Sequence, residues 1–316
     1  RHTPESHRAG EGWLAGDGAV IAGAGLAGLI AAHAFPRMPV LEAGPEREMH
    51  KALLRFRSDS VAKLTGIEFK KVRVRKGIWL DGRFQEPSIR AGNLYSQKCL
   101  GAVHGDRSIW NLESVDRFIA PDTFYAQLVD GARGRISWET PLDYEGTAAL
   151  KKQVISTAPL PVVLDALKIP HDLEFKRAGI TVCRFHVPNC SAYQTVYFPG
   201  EEHGAYRASI TGETLIVEFS GDQGGELWME DVLKAFALPD GVTLIEKVSQ
   251  SYGKIAPVDS TARKALIAKL TNDHGVYSLG RFATWRNLLL DDVVDDIAVV
   301  KRLLTASSYE RRLAAM

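Results

Sequence analysis

The 316-residue chain is 45% hydrophobic and 24% charged, enough apolar material for a sizeable core in one large domain or two coupled ones. Thirty-nine Lys and Arg stand against 38 Asp and Glu, so the net charge of +1 gives no global argument for nucleic acid or an acidic membrane surface. The three cysteines, Cys99, Cys183 and Cys190, lack C-x-x-C spacing, which argues against a disulfide framework and a cysteine zinc site and suits a reducing, cytoplasmic compartment. No apolar run approaches the roughly 18 residues of a spanning helix. The opening stretch Arg1–Gly16 is polar and Gly-rich, without the apolar run of a secretory signal, and Arg1 in place of Met reads as a trimmed or incomplete N-terminus.

The first informative stretch is G-A-V-I-A-G-A-G-L-A-G-L-I-A-A-H-A-F from Gly18. Ala19–Ala22 is a short apolar run of the buried-strand kind, Gly23, Gly25 and Gly28 satisfy G-x-G-x-x-G, and an Ala- and Leu-rich helix follows to about Phe35. After Pro36 and Pro39, Val40-Leu41 resumes a strand that ends on Glu42. The glycines serve three mechanical purposes. Gly23 allows a tight turn, Gly25 lets backbone approach a pyrophosphate closely, and Gly28 lets the helix pack on the strand. The helix start offers free N–H groups to the phosphates. Glu42, 19 residues after Gly23, lies near the usual distance of about 20 for an acid that holds a ribose hydroxyl. Strand, glycines, helix, second strand and acid in that order predict a dinucleotide site.

A simple NAD dehydrogenase continues with regular βα units, and this chain does not. Residues 66–84 alternate in period two and are expected to turn at Gly77 and Gly82, which predicts antiparallel β structure; residues 178–220 carry more of it, with a turn at Thr211-Gly212-Glu213. The nucleotide-binding frame then resumes twice. Lys151–Leu167 reads as strand, Pro-punctuated turn and helix, and Gly275–Leu304 as a strand ending at Gly280-Arg281, a loop, and a long helix from near Asp291.

This order of elements resembles the FAD-dependent superfamily of the flavin amine oxidases, protoporphyrinogen oxidase and UDP-galactopyranose mutase. The resemblance rests on V-I-A-G-A-G-L-A-G-L-I-A-A at 20–32 with L-E-A at 41–43, on V-I-S-T-A-P-L-P at 154–161, and on Y-S-L-G-R-F-A-T-W-R-N-L-L-L-D-D-V-V at 277–294, the last most similar to the mutase branch. It implies an α/β fold: an FAD-binding Rossmann-like domain from residues 14–66, 121–168 and 256–316, with an inserted antiparallel-sheet substrate domain from 67–120 and 169–255. It also implies FAD as cofactor. Gly23, Gly25, Ala27 and Gly28 would meet the pyrophosphate, and Glu42 with Ala43 the adenosine ribose. Gly280 and Arg281 would lie beside the flavin or its phosphates, and Asp292 and Val293 at the pyrimidine edge of the ring. The family's G-G element after the acid is missing; A-G-P-E-R-E-M-H-K-A-L-L-R-F-R-S-D stands there, with His50, Arg55 or Arg57 on that ground. A weaker likeness, through L-R-F-R-S-D at 54–59 and F-K-K-V-R-V-R-K-G-I-W at 69–79, is to flavoproteins of bacteriophage genomes, some of which act on an amino-acid adduct of a modified DNA base. It implies residence in the host cytoplasm.

Other residues carry two readings each. Lys71, Arg73 and Arg75 share one face of a strand whose Val72 and Val74 face inward: an ordinary solvated face, or a surface that tracks the phosphates of DNA or a nucleotide-linked substrate. Arg286 is either a partner for a substrate phosphate or carboxylate or half of an ion pair with Asp291, Asp292, Asp295 or Asp296. Tyr252, Lys254 and Trp285 are candidates to line a flavin ring; a lysine in a Gly- and Pro-punctuated segment such as 251–258 is ordinarily exposed. Lys254 and His50 are the candidate catalytic residues, and Arg57, Tyr252, Trp285 and Arg286 the candidate substrate contacts. The nine histidines show no metal-binding spacing, and no G-x-S-x-G elbow is present.

The expectation is an FAD-dependent oxidoreductase that oxidises a C–N or C–H bond of an amine or amino acid, free or attached to a larger molecule. Two alternatives stand beside it: a UDP-sugar mutase using reduced flavin without net redox, and a non-catalytic FAD-binding protein.

Overall fold

Val20–Ala22 is buried throughout and lies at the centre of a five-stranded sheet in the order Val276–Ser278, Val154–Ser156, Val20–Ala22, Val40–Leu41, Ile136–Ser137. Every pairing in it is parallel, with Ile21 opposite both Val40 and Ile155. Parallel strands covered on both faces read as unbroken apolar runs, and V-I-A, V-L and V-I-S are such runs. The computed structural model describes residues 18–46, 54–105, 109–202, 204–221, 229–238 and 240–315, with backbone alone for 251, 252 and 307–315. His50 lies outside the described residues.

The chain divides into two compact units, each drawn from separate segments: Arg1–Lys70, Phe118–Glu174 and Pro257–Met316 in the first, Lys71–Arg117 and Phe175–Ala256 in the second. In the first unit the crossover helix Leu26–Ala34 is apolar nearly all round, with Leu29, Ile30, Ala31 and Ala32 fully buried. Pro36 cannot continue it, and Phe35 closes its last turn through its N–H to Ala31 O. Phe56, Phe69 and Phe124 pack ring on ring in the same core, at centroid distances of 4.7 to 6.0 Å. Helix Ser260–His274 is capped by the Asp259 carboxylate, which accepts from Ala262 N at 2.7 Å, and stopped by Gly275 at φ +66. The last helix spans Leu290–Ala315.

The second unit is a mostly antiparallel sheet in the order Thr243–Ile255, Arg177–His186, Thr214–Ser220, Ala205–Thr211, Tyr193–Tyr197, Lys70–Leu80. Tyr193–Tyr197 pairs in parallel with Lys70–Leu80, with Val196 opposite Gly77. Two local expectations are corrected here. Gly77 is not a turn: the strand runs straight through it and reverses at Asp81-Gly82, and Gly77 instead makes room for Phe84, whose ring would lie 2.8 Å from an added Cβ. Of the Gly- and Pro-punctuated segment 251–258, residues 251–255 are the end of the strand Thr243–Ile255, with a register shift between Gln250 and Lys254, and only 256–258 lie beyond it.

Among the described residues no helix is long and apolar enough to cross a membrane.

Candidate functional site

Gly23 leaves its strand at φ +106, a conformation side chains resist, and a Cβ there would stand 2.1 Å from Thr157 Oγ1. Thr157 is fixed in that place because its N–H and its hydroxyl both donate to Ala22 O at 2.9 Å. At Gly28 a Cβ would stand 1.9 Å from Gly23 O, so the helix rests on the turn backbone itself. Gly25 is the opposite case. It is exposed, its φ of −74 suits any residue, and a Cβ there meets nothing within 4 Å.

Gly25 is also the N-cap of helix Leu26–Ala34, which has neither a side-chain cap nor an acid in its first turn. The positive end of the helix therefore opens beside a backbone stripped of side chains. The Glu42 carboxylate is tied to the same turn: Oε2 accepts from Ala24 N at 2.7 Å and Oε1 from Gly44 N at 2.9 Å. Each oxygen keeps a lone pair for a further donor. Ala27 is half-buried at the first helical turn and Ala43 exposed beside Glu42. An open floor, an uncapped helix start and an anchored carboxylate fit a diphosphate with a ribose at one end.

Gly280, at φ +89, closes on this turn, since a Cβ there would lie 2.9 Å from Ala27 Cβ. Arg281 is half-buried next to it, its guanidinium 5.6 Å from the Phe282 ring centroid. The glycine turn, Glu42 and the Gly280 turn are thus brought together.

The start of the last helix carries a feature that sequence reading missed. Asp291, 9% exposed, accepts from Arg57 N at 3.1 Å and from the N–H and hydroxyl of Ser58 at 2.9 Å each. Asp292 caps the helix by accepting from Leu289 N at 2.8 Å and pairs with Arg57 Nη2 at 2.5 Å. The two acids therefore clamp the Arg57-Ser58 segment to the helix start, while the Val293 side chain is in the core at 1% exposure. Nothing in the local sequence links 57 to 291. Trp285 is buried, at φ +44, and Arg286 pairs with Asp296.

In the second unit Lys254 is 4% exposed, which corrects the expectation of a solvated lysine; its Nζ sits 3.3 Å from the centroid of the Tyr206 ring. Tyr206 Oη donates to Glu218 Oε1 at 3.1 Å, and Glu218 holds Arg207 in a two-point pair. Burial raises the Glu218 pKa, but Arg207 and the hydrogen bonds outweigh it, so the carboxyl lies below its ordinary range. Tyr95 packs edge-on against Tyr197 at 5.4 Å. Lys98 donates to the carbonyls of Phe198, Gly200 and Ala205 at 2.5 to 2.8 Å, and burial first, with Lys254 adding to it, brings its pKa down to about 8. Tyr252 belongs to the strand Thr243–Ile255, its side chain lying outside the description.

On the outer face of the same unit Lys71 and Arg73 both pair with Asp116 at 3.1 Å, and Arg75 is exposed. Arg75 and Lys76 line a groove of about 1010 Å³ together with Phe84 and Trp110, each 53% exposed. Among the described residues no group of His, Cys, Asp and Glu could hold a metal ion.

No protein-family model and no curated protein sequence matches the chain. Solved structures do. Reduced UDP-galactopyranose mutase superposes with a TM-score of 0.58 at 14% identity, over 92% of this chain and 94% of that one. A geranylgeranyl bacteriochlorophyll reductase-like protein from Thermoplasma acidophilum gives 0.52 at 12% identity, over 93% and 79%. Native and K252c-bound RebC-10x gives 0.53 at 11% identity, over 89% of this chain and 59% of that one. At such identities the likeness is one of fold: the chain has the α/β fold of these proteins, a Rossmann-like parallel sheet joined to a mostly antiparallel one.

Proposed function

We propose that the chain is an FAD-dependent enzyme, and that the observation carrying this is the open backbone at Gly25 beneath an uncapped helix, with Glu42 anchored alongside. In this reading Gly23, Gly25, Ala27 and Gly28 receive the pyrophosphate, and Glu42 with Ala43 the adenosine ribose. Gly280, Arg281 and Asp292 border the isoalloxazine side, with Val293 behind them in the core. FAD supplies a two-electron acceptor that takes hydride from a C–H bond, commonly one beside nitrogen. The protein binds, orients and excludes water.

The substrate class we favour is an amine or amino acid. It is supported by the cations of the second unit, the buried Lys254, the half-buried Lys98 on three carbonyls and Arg207 paired with Glu218, which suit a substrate that bears an anion, such as the carboxylate of an amino acid. The same cations suit the diphosphate of a nucleotide sugar. The fold likeness to a UDP-galactopyranose mutase across nearly both chains therefore keeps a mutase as the second reading.

Gly25→Val separates folding from cofactor binding. The substitution meets no protein atom in the open ground at its Cβ, so the circular dichroism spectrum and melting temperature are expected to match those of the flavin-free parent while the 450-nm absorbance of bound flavin disappears. Full flavin occupancy in this variant would refute the placement. With holoenzyme, anaerobic bleaching by amino acids without added reductant supports the oxidoreductase. A need for prior dithionite supports the mutase, and no substrate-dependent spectral change supports a non-catalytic FAD protein.

A nucleic-acid-attached substrate is supported by the exposed Trp110 and Phe84 beside Arg75 and Lys76, since bases stack on exposed rings and phosphates seek such cations. Binding of a single-stranded oligonucleotide is expected to weaken steeply with salt, and Arg75→Gln to reduce the log–log slope by about one. A slope near zero would remove this attachment and leave a free small molecule.

A further inference from the structure

A second cleft, of about 390 Å³, lies within the first unit between helices Ser260–His274 and Leu290–Ala315. Its polar end is built on Thr284, which is 5% exposed and holds two guanidinium groups at once. Arg263 Nη1 donates to the Thr284 carbonyl at 2.8 Å, and Arg286 Nε donates to Thr284 Oγ1 at 3.2 Å. Thr284 is itself fixed by its hydroxyl, which donates to Gly280 O at 2.7 Å.

The two arginines differ in their compensation. Arg286 is neutralised by Asp296. Arg263, 8% exposed, meets only neutral oxygens, Thr284 O and, at 3.5 Å, Ser260 Oγ; none of the described carboxylates pairs with it. A buried cation beside a second guanidinium and without its own anion is costly. It also retains N–H donors in the fork geometry that matches a carboxylate. Lys264 and the Asp296 carboxylate, held by Arg286, line the cleft as well, and its apolar stretch has Ile267 and Ala268 on one helix and Val299 and Leu303 on the other, the last two 42% exposed.

We infer that this cleft binds a small organic carboxylic acid, its carboxylate on Arg263 beside Arg286 and its apolar body along Ile267, Val299 and Leu303. The site shares no residue with the glycine turn and does not depend on FAD being the cofactor.

Isothermal titration at constant ionic strength, with acetate, hexanoate and inorganic phosphate as probes, tests it. Hexanoate is expected to bind saturably at one site per chain and at least about tenfold more tightly than acetate, because four further methylenes leave water. Arg263→Gln is expected to weaken hexanoate at least about tenfold. Leu303→Glu, at an exposed position that leaves the fold intact, is expected to do the same by placing a like charge and removing the apolar wall. Gly25→Val should bind hexanoate as the parent does, so that failure here and failure of the flavin reading remain distinct. No saturable hexanoate binding to the parent, hexanoate binding unchanged in Leu303→Glu, or phosphate binding more tightly than hexanoate would each overturn the inference.

Discussion

Gly28→Ala is expected to destabilise the first unit by about 4 kcal/mol or to prevent its folding, although in an exposed helix the same change stabilises by up to about 1 kcal/mol. The reversal of sign comes from one distance. The added methyl would stand 1.9 Å from Gly23 O, and Gly23 is in turn held by Thr157, whose Oγ1 would lie 2.1 Å from a Cβ on Gly23. Both obstacles are fixed, the first a backbone carbonyl and the second a hydroxyl donating to Ala22 O, so the helix must move off the sheet, and Leu29 and Ile30, fully buried, go with it. Chemical denaturation of the flavin-free proteins followed by circular dichroism measures the effect, with Gly25→Ala as the internal control, expected within about 1 kcal/mol of the parent because Gly25 is an N-cap with open space at its Cβ. Equal stability of Gly28→Ala and parent would mean that helix and turn do not approach this closely.

Glu218→Gln is the second large effect, expected to cost about 3 to 5 kcal/mol, because it removes the carboxylate that faces Arg207 and Lys254 while keeping volume and an acceptor for Tyr206. A cycle with Arg207→Met should recover a large part of the loss, since the unpaired charge goes with it. The sign with pH follows from the lowered carboxyl. Its contribution is present above the ordinary value of 4.5 and is lost as pH falls from there through the folded-state value. The parent's advantage over Glu218→Gln should therefore shrink in acid and stay constant around neutrality. Urea midpoints across pH give the comparison, and an advantage that grows in acid would contradict the pairing.

The glycine turn was legible in the sequence because its parts are close along the chain: three glycines within six positions, then a proline-bounded return to a strand ending on Glu42. The strands Val154–Ser156 and Val276–Ser278 were legible for a related reason, each being a short apolar run before a turn. What escaped was set by distant partners. Gly77 looked like a turn because glycine usually punctuates; here the Phe84 ring claims the space its side chain would fill. Lys254 looked solvated because lysine usually is, and the Tyr206 ring and Glu218, brought in by strands distant in sequence, help to make its burial tolerable. The clamp of Asp291 on Ser58 and the seating of Arg263 on Thr284 join residues without any common local pattern. Local periodicity cannot encode a register between strands either, so the single parallel pairing of Tyr193–Tyr197 with Lys70–Leu80 had no advance signal.

The strand Val154–Ser156 has a consequence for how the protein is made. It lies between Val20–Ala22 and Val276–Ser278, so one of its edges is closed by residues already synthesised and the other by residues that come much later. While the ribosome produces the five strands from Arg177–His186 to Thr243–Ile255, that later edge offers unsatisfied N–H and C=O groups beside Val154 and Ile155, both fully buried in the finished molecule. Nascent chains are therefore sticky over this interval, and a chaperone that shields a strand edge would act on this protein before residue 276 emerges.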